Sequence, residues 1–275
     1  MVAGSSRSSK KREAVTPPEL VDRLLGAAGE DTVLVGGQAL GFWVQRYAVE
    51  IPEDLPGITL DTDFLARSAA DTALVHRFAK AIKGTPHFPS RLARTALVGQ
   101  VELDVSDEEF VNVDVIFKVI GLTPKAILAR AIGVDFGKKA KNKNRLLVMH
   151  PFDVLRSRLA NLYTLREKQN AKGAEQLRMA IDVARAFLAE EASGHDPALT
   201  ARGRSPVQTL VSELEKLASD DAGRKIAARW GIHVADAIDP SLIPAGKFWE
   251  RKWPTLQTLM SANYASRFSP PGAEG

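Results

Sequence analysis

Asp61 and Asp63 stand two residues apart in Asp61-Thr62-Asp63-Phe64, directly after the apolar run Ile58-Thr59-Leu60. On a strand, positions i and i+2 point the same way, so the two carboxylates share a face. Like charges held that close repel, and a bound divalent cation is a common way to hold them. No neighbouring cations in the sequence offer to neutralise both. A further carboxylate, Asp114, lies in the middle of Val111-Asn112-Val113-Asp114-Val115-Ile116-Phe117. Alternation there puts Asn112, Asp114 and Ile116 on one face and the valines on the other. Asp104 is a rival on the preceding strand, but it adjoins the acidic turn Ser106-Asp107-Glu108-Glu109, where a carboxylate is easily solvated. Asp114 is therefore expected to be the third member.

A second kind of chemistry comes from Val33-Leu34-Val35-Gly36-Gly37-Gln38-Ala39-Leu40. An apolar strand runs into a glycine pair, and Leu40, Val44 and Tyr47 follow at helical spacing. A glycine pair there lets a phosphate approach the N–H groups at the helix start. Alone it reads more simply as a tight turn; the acidic strand downstream tips it toward phosphate binding.

Several elements must position these residues. Thr16-Pro17-Pro18-Glu19 has a capping-box pattern and opens a helix ending near Gly26 to Gly29. Residues 46–57 hold two prolines and read as a loop. An amphipathic helix is expected over 68–83, with Leu74, Phe78 and Ile82 inward and His76 on its surface. Residues 85–94 read as a loop. Strands over 95–105 and 111–119 form an antiparallel hairpin. Thr123-Pro124 starts another helix through Ile127, Leu128 and Ile132, and a last short strand covers Leu146 to Met149. The loop 138–145 (KKAKNKNR) is densely basic. After His150-Pro151 the pattern is helical alone: Val154, Leu155, Leu159 and Leu162 make one apolar stripe, and further helices are expected over residues 175–190, 207–217, 222–230 and 249–264. Phe248, Trp249 and Trp253 read as core packing rather than a base-stacking platform. The expected organisation is a basic disordered tail (1–15), an α/β (α+β) mixed-sheet domain (16–150) and a helical C-terminal domain (151–275).

Composition narrows the classes. The 275 residues, 45% hydrophobic and 25% charged, are those of an ordinary globular chain. There is no cysteine, which excludes disulfides, zinc–thiolate sites and a cysteine nucleophile, and fits a cytoplasmic location. No apolar run approaches the ~20 residues that span a bilayer, so no membrane partner is expected. A net charge of +4 and a pI near 9.3 suit a polyanionic partner.

The order strand–Gly36-Gly37–helix, then Asp61-Thr62-Asp63, then a lone Asp114 on a later strand resembles the DNA polymerase β-type nucleotidyltransferase superfamily. Within it the chain is most similar to the abortive-infection type nucleotidyltransferase toxins and their uncharacterised relatives. A fourth matching piece is Leu147-Val148-Met149-His150-Pro151 followed by Asp153, Leu155 and Arg158, and the resemblance covers roughly residues 30–190. It implies a nucleotidyltransferase fold followed by a helical domain. It also implies that Gly36, Gly37 and Gln38 bind the nucleotide, and that Asp61, Asp63 and Asp114 hold two Mg²⁺ ions and carry the catalysis. Where such relatives place a lysine this chain has Arg158, which keeps the charge and can grip phosphate. Glu175 and Asp182 are candidates for a carboxylate on the next helix. The gap between Gly37 and Asp61 exceeds the family's usual spacing, and the proline-rich loop absorbs it. The implied activity moves an NMP from an NTP to a hydroxyl, on a tRNA 3′ end or a protein, with an antitoxin as a further possible partner. The rival classes are a non-catalytic, antitoxin-like interaction protein and an antibiotic-modifying nucleotidyltransferase. The basic loop 138–145 favours an anionic acceptor over a cationic drug.

Overall fold

The computed structural model describes residues 11–29, 32–52, 62–90, 92–136, 144–194, 206–243 and 246–270. The chain divides into two compact units. The first comprises residues 1–39 and 56–150, and the second residues 40–55 and 151–275.

The first unit is built on a mixed sheet. Its strands are β1 (Arg12–Glu13), β2 (Val33–Leu34), β3 (Thr62–Leu65), β4 (Thr85–His87), β5 (Leu97–Asp104), β6 (Glu109–Ile116), β7 (Ile132–Phe136) and β8 (Asn144–Val148). The order across the sheet is β4-β5-β6-β3-β2-β8-β7, with β1 pairing β6 off that path. β2 lies between β3, which runs antiparallel to it, and β8, which runs parallel. That central place explains why Val33 and Leu34 are both buried.

Two helices, α1 (Pro18–Ala28) and α3 (Thr72–Ile82), cover one face. The Phe78 ring lies 4.5 Å from that of Phe64, and Val75 lies against Gly99. Phe64 and Gly99 both pair with Val115, so α3 rests on the face that also carries Val111, Val113 and Val115. Alternation turns Asn112 and Asp114 to the opposite face, where they are half-buried. The expected hairpin is present as β5–β6.

Several local expectations change. The basic tail was expected to lack structure through residue 15. Instead Arg12 and Glu13 form β1, whose backbone pairs with Glu109 and Phe110 while the Arg12 guanidinium bonds Glu109. Met1 to Lys10 lie outside the described residues. Thr16 does not cap α1; the N-cap is Pro17, and the buried Thr16 hydroxyl accepts instead from Thr62 Oγ1 at 3.2 Å. The residues read as a loop after α3 include β4, which pairs along the outer edge of β5. The helix expected through Ile132 ends at Arg130, as α4 (Pro124–Arg130), because Ile132 starts β7. β7 was not expected at all: Ile132-Gly133-Val134-Asp135-Phe136 is short, and its antiparallel partner β8 begins only at Asn144. Most of the basic cluster, Lys138 to Lys143, lies outside the described residues.

The second unit is helical. The stretch α2 (Gly36–Arg46) starts in the first unit and continues into the second from Leu40. Then come α5 (Pro151–Thr164), α6 (Ala171–Gly194), α7 (Pro206–Ser219) and α8 (Asp221–Trp230). α5 packs along α6, burying Leu155, Leu159 and Leu162 on one side and Leu177, Ile181, Ala184 and Leu188 on the other. The helix expected over 249–264 is broken into α9 (Lys247–Arg251), α10 (Trp253–Leu256) and α11 (Ala262–Ala265). Pro254 has no N–H to continue a preceding helix and sits in the first turn of α10 instead. Phe248, Trp249 and Trp253 are buried, and Trp249 Nε1 donates to the Ile243 carbonyl at 3.0 Å.

Candidate functional site

The two chemistry-bearing strands are direct neighbours. β3 and β6 run parallel, with Asp63 in register with Asp114. Side chains of paired residues point to the same side, and adjacent strands lie about 4.8 Å apart. Two carboxylates therefore stand side by side on the face that α1 and α3 leave uncovered. Asp63 and Asp114 are both half-buried.

A third piece comes from the turn after β2. Val35 N donates to the Asp63 carbonyl at 3.0 Å, which fixes the end of β2 against β3. The chain then enters α2 at Gly36, whose φ is +67°. A Cβ added there would collide with Asp63 Oδ2. Both the backbone conformation and the close approach of the carboxylate require glycine. Gly37 and Gln38 follow in the first turn of α2, Gly37 buried and Gln38 half-buried. This end of the helix presents N–H groups that no preceding turn satisfies.

Polar side chains extend the same sheet face outward. Gln100 on β5 is in register with Asp114, and Glu102 with Asn112. Asn112 Nδ2 donates to Asp114 Oδ1 at 2.9 Å, and Gln100 Nε2 donates to Glu102 Oε1 at 2.9 Å. His87 on β4 pairs with Gln100, and its Nε2 lies 3.7 Å from Glu102 Oε2. Gln100, Glu102 and His87 were not singled out from the sequence. The alternation along β5 is a usable signal for the first two. His87 needed knowledge of β4, which is only three residues long.

Asp104 has a different setting. It sits at the turn end of β5, paired with Phe110, and its carboxylate meets Lys11 Nζ at 2.7 Å with its side chain 66% exposed. Asp61 lies outside the described residues. Among the described residues no group of three or more acidic, His or Cys side chains forms a metal site. The described pair still fits a hard cation. Asp63 and Asp114 supply carboxylate oxygens, the ligand type Mg²⁺ prefers, and side-chain-free Gly36 leaves the Asp63 carboxylate its room.

Arg158 lies in the second unit, buried on α5, with Nη1 donating to Gln176 Oε1 at 3.2 Å. On α6, Glu175 meets Arg178 at 2.7 Å and Asp182 meets Arg185 at 2.8 Å. Burial raises the Asp182 carboxyl above its ordinary value against the opposing pull of Arg185. His150, where the first unit ends, is buried and pushed down to about 3, by desolvation first and the Arg130 guanidinium second. Arg130 Nη2 lies 3.4 Å from His150 Nδ1, so a neutral imidazole protonated on Nε2 can accept from it.

No protein-family model and no curated protein matched the chain.

Proposed function

We propose that this chain is a Mg²⁺-dependent nucleotidyltransferase that moves an NMP from an NTP to a hydroxyl and releases pyrophosphate, with a nucleotidyltransferase-type fold in its first unit. The observation that carries the reading is the register of Asp63 with Asp114, with the Gly36 backbone closed against the Asp63 carboxylate. Two like-charged groups with a glycine-lined helix start beside them make sense around a cation and a phosphate. Mg²⁺, when bound, supplies positive charge to the transferring phosphate and its leaving group.

The chain's own residues have separable roles. Asp63 and Asp114, together with Asp61, hold the metal. The hydrogen bond from Asn112 to Oδ1 orients the Asp114 carboxylate toward the ion and the proton of the attacking hydroxyl. Gly36 and Gly37 let the triphosphate reach the backbone N–H groups at the start of α2, and Gln38 borders them. The sequence resemblance adds a tRNA 3′ end or protein hydroxyl as acceptor, and a toxin setting with an antitoxin partner.

The test is incubation with each α-labelled NTP, Mg²⁺, and either total RNA or total protein. Label should enter one pool with the wild type and neither pool with Asp63→Ala. If a folded wild type transfers label from none of the four NTPs, or Asp63→Ala transfers at the wild-type rate, the reading fails.

A further inference from the structure

The helical unit holds a cavity that the transfer chemistry leaves unused. It has a volume of about 290 Å³ and is lined by Leu162, Tyr163, Gln169, Lys225, Ile226 and Arg229. These come from the end of α5, the 3₁₀ turn that follows it (Arg166–Lys168, leading to Gln169) and α8. Leu162 and Ile226 are buried and supply an apolar wall. Lys225 Nζ sits 5.6 Å from the centre of the Tyr163 ring, and the Arg229 guanidinium donates to Gln169 Oε1 at 2.9 Å.

The charge around this cavity is one-sided. The turn and the start of α6 carry Arg166, Lys168 and Lys172, all exposed, against Glu167. α8 carries Arg224, Lys225 and Arg229, also exposed, against Asp221. Asp221 is engaged by Lys225 at 2.9 Å and by the Tyr163 hydroxyl at 2.6 Å. Arg229 leans instead on a neutral amide, so its charge is not cancelled there.

We propose that this cavity docks single-stranded RNA. One unstacked base enters against Tyr163, Leu162 and Ile226, and the flanking phosphates meet Lys225, Arg229, Arg166 and Lys168. The volume argues for one ring system, since it falls at the small end of ligand pockets, which run to about 1,000 Å³. A site for phosphate alone needs no apolar wall, and a groove for an apolar peptide needs no cations. An aromatic ring beside cations is the combination that binds single strands, by stacking and by phosphate neutralisation. Gln169 is held at both ends of its amide, Nε2 donating to the Tyr163 carbonyl at 3.1 Å and Oε1 accepting from Arg229, and so fixes the cavity wall beside the ring. The choice of RNA rests on the proposed transfer to an RNA acceptor; the site itself does not.

The test uses the full chain without NTP or Mg²⁺ and a fluorescent single-stranded RNA of about 12 nucleotides. Binding should weaken with salt, with a log–log slope of about −0.7 for each phosphate neutralised. Lys225→Glu with Arg229→Glu should weaken binding by about tenfold or more and flatten that slope. Tyr163→Leu should weaken it by about tenfold with the slope kept. If the charge-reversed protein melts early, Arg166→Glu with Lys168→Glu, at two exposed positions, carries the same expectation. The proposal is overturned if the wild type binds no RNA, or if charge reversal leaves affinity unchanged. It is equally overturned if an abasic oligonucleotide or polyglutamate binds as tightly as the RNA. Because no nucleotide or metal is present, intact RNA binding beside a failed transfer assay sinks the transferase reading alone.

Discussion

Asp114 and Asp104 show how one residue type takes two roles within a hairpin. Asp114 stands beside Asp63 in mid-sheet, while Asp104 is a solvated end charge paired with Lys11. Asp114→Asn should therefore lower transfer by about 10²-fold or more. Asp104→Asn should leave the rate within about twofold and cost under about 1 kcal/mol, because exposed ion pairs contribute little. Steady-state rates and urea melts of both variants decide this, and a larger rate loss for Asp104→Asn would reverse the assignment. His150 makes a prediction about pH. Its folded value of about 3 lies below the ordinary 6.5, so between those values the unfolded chain binds a proton that the folded chain refuses. The stability is present at pH 7 and is lost as pH falls from about 6.5 toward 3, by up to ~1.4 kcal/mol per unit. His150→Gln should lose less stability than the wild type between pH 7 and pH 5; parallel urea titrations would refute the assignment.

Among the elements, the passage from β2 into α2 has the least tolerance. Gly36 is in the left-handed region and touches the Asp63 carboxylate, so Gly36→Ala combines backbone strain of about 1–2 kcal/mol with a displaced Asp63. The wild type should melt higher with Mg²⁺ and NTP together than with either alone. The gain reaches about 2.7 kcal/mol at a hundredfold excess over Kd. Gly36→Ala should lose most of that gain, whereas Thr123→Ala, which removes the side-chain cap of α4, should lower the baseline melt and keep the gain. Equal ligand shifts in the two variants would contradict the role given to the turn.

For the whole molecule, the division into units does not follow a single cut in the chain. Residues 40–55 group with 151–275, and within that second unit Arg46 and the Tyr47 hydroxyl both donate to Glu190, Arg46 at 2.7 Å. A fragment ending at residue 150 keeps the full sheet sequence but loses Glu190 and the rest of the second unit. The buried side chains Leu40, Trp43 and Val44 of α2 belong to that unit. This fragment is expected to show less helix than its share and to aggregate at concentrations where the full chain stays monodisperse. Circular dichroism and light scattering of the two proteins check it, and a well-behaved, fully helical fragment would show that α2 needs nothing from residues 151–275. Among the described residues no helix is long and apolar enough to cross a membrane.

The elements with strong local periodicity were readable from the sequence. The β5–β6 hairpin, the core face of α3 and the paired helices α5 and α6 all follow from alternation or helical spacing, which local side-chain sterics and burial dictate. The alternation of Val111, Asn112, Val113, Asp114 and Val115 also set which way Asp114 points relative to its neighbours. What alternation cannot tell is which strand lies beside which. β1, β4 and β7 are two to five residues long, carry no period of their own, and exist because a distant strand offers unpaired backbone groups. Thr16 has the sequence of a cap, yet its hydroxyl pairs with Thr62, 46 positions away. The pairing of Asp63 with Asp114 and the closure of Gly36 on Asp63 belong to the same class. They depend on the parallel register of β3 and β6 and on where β2 inserts, and a local sequence pattern holds no information about contacts between segments that far apart.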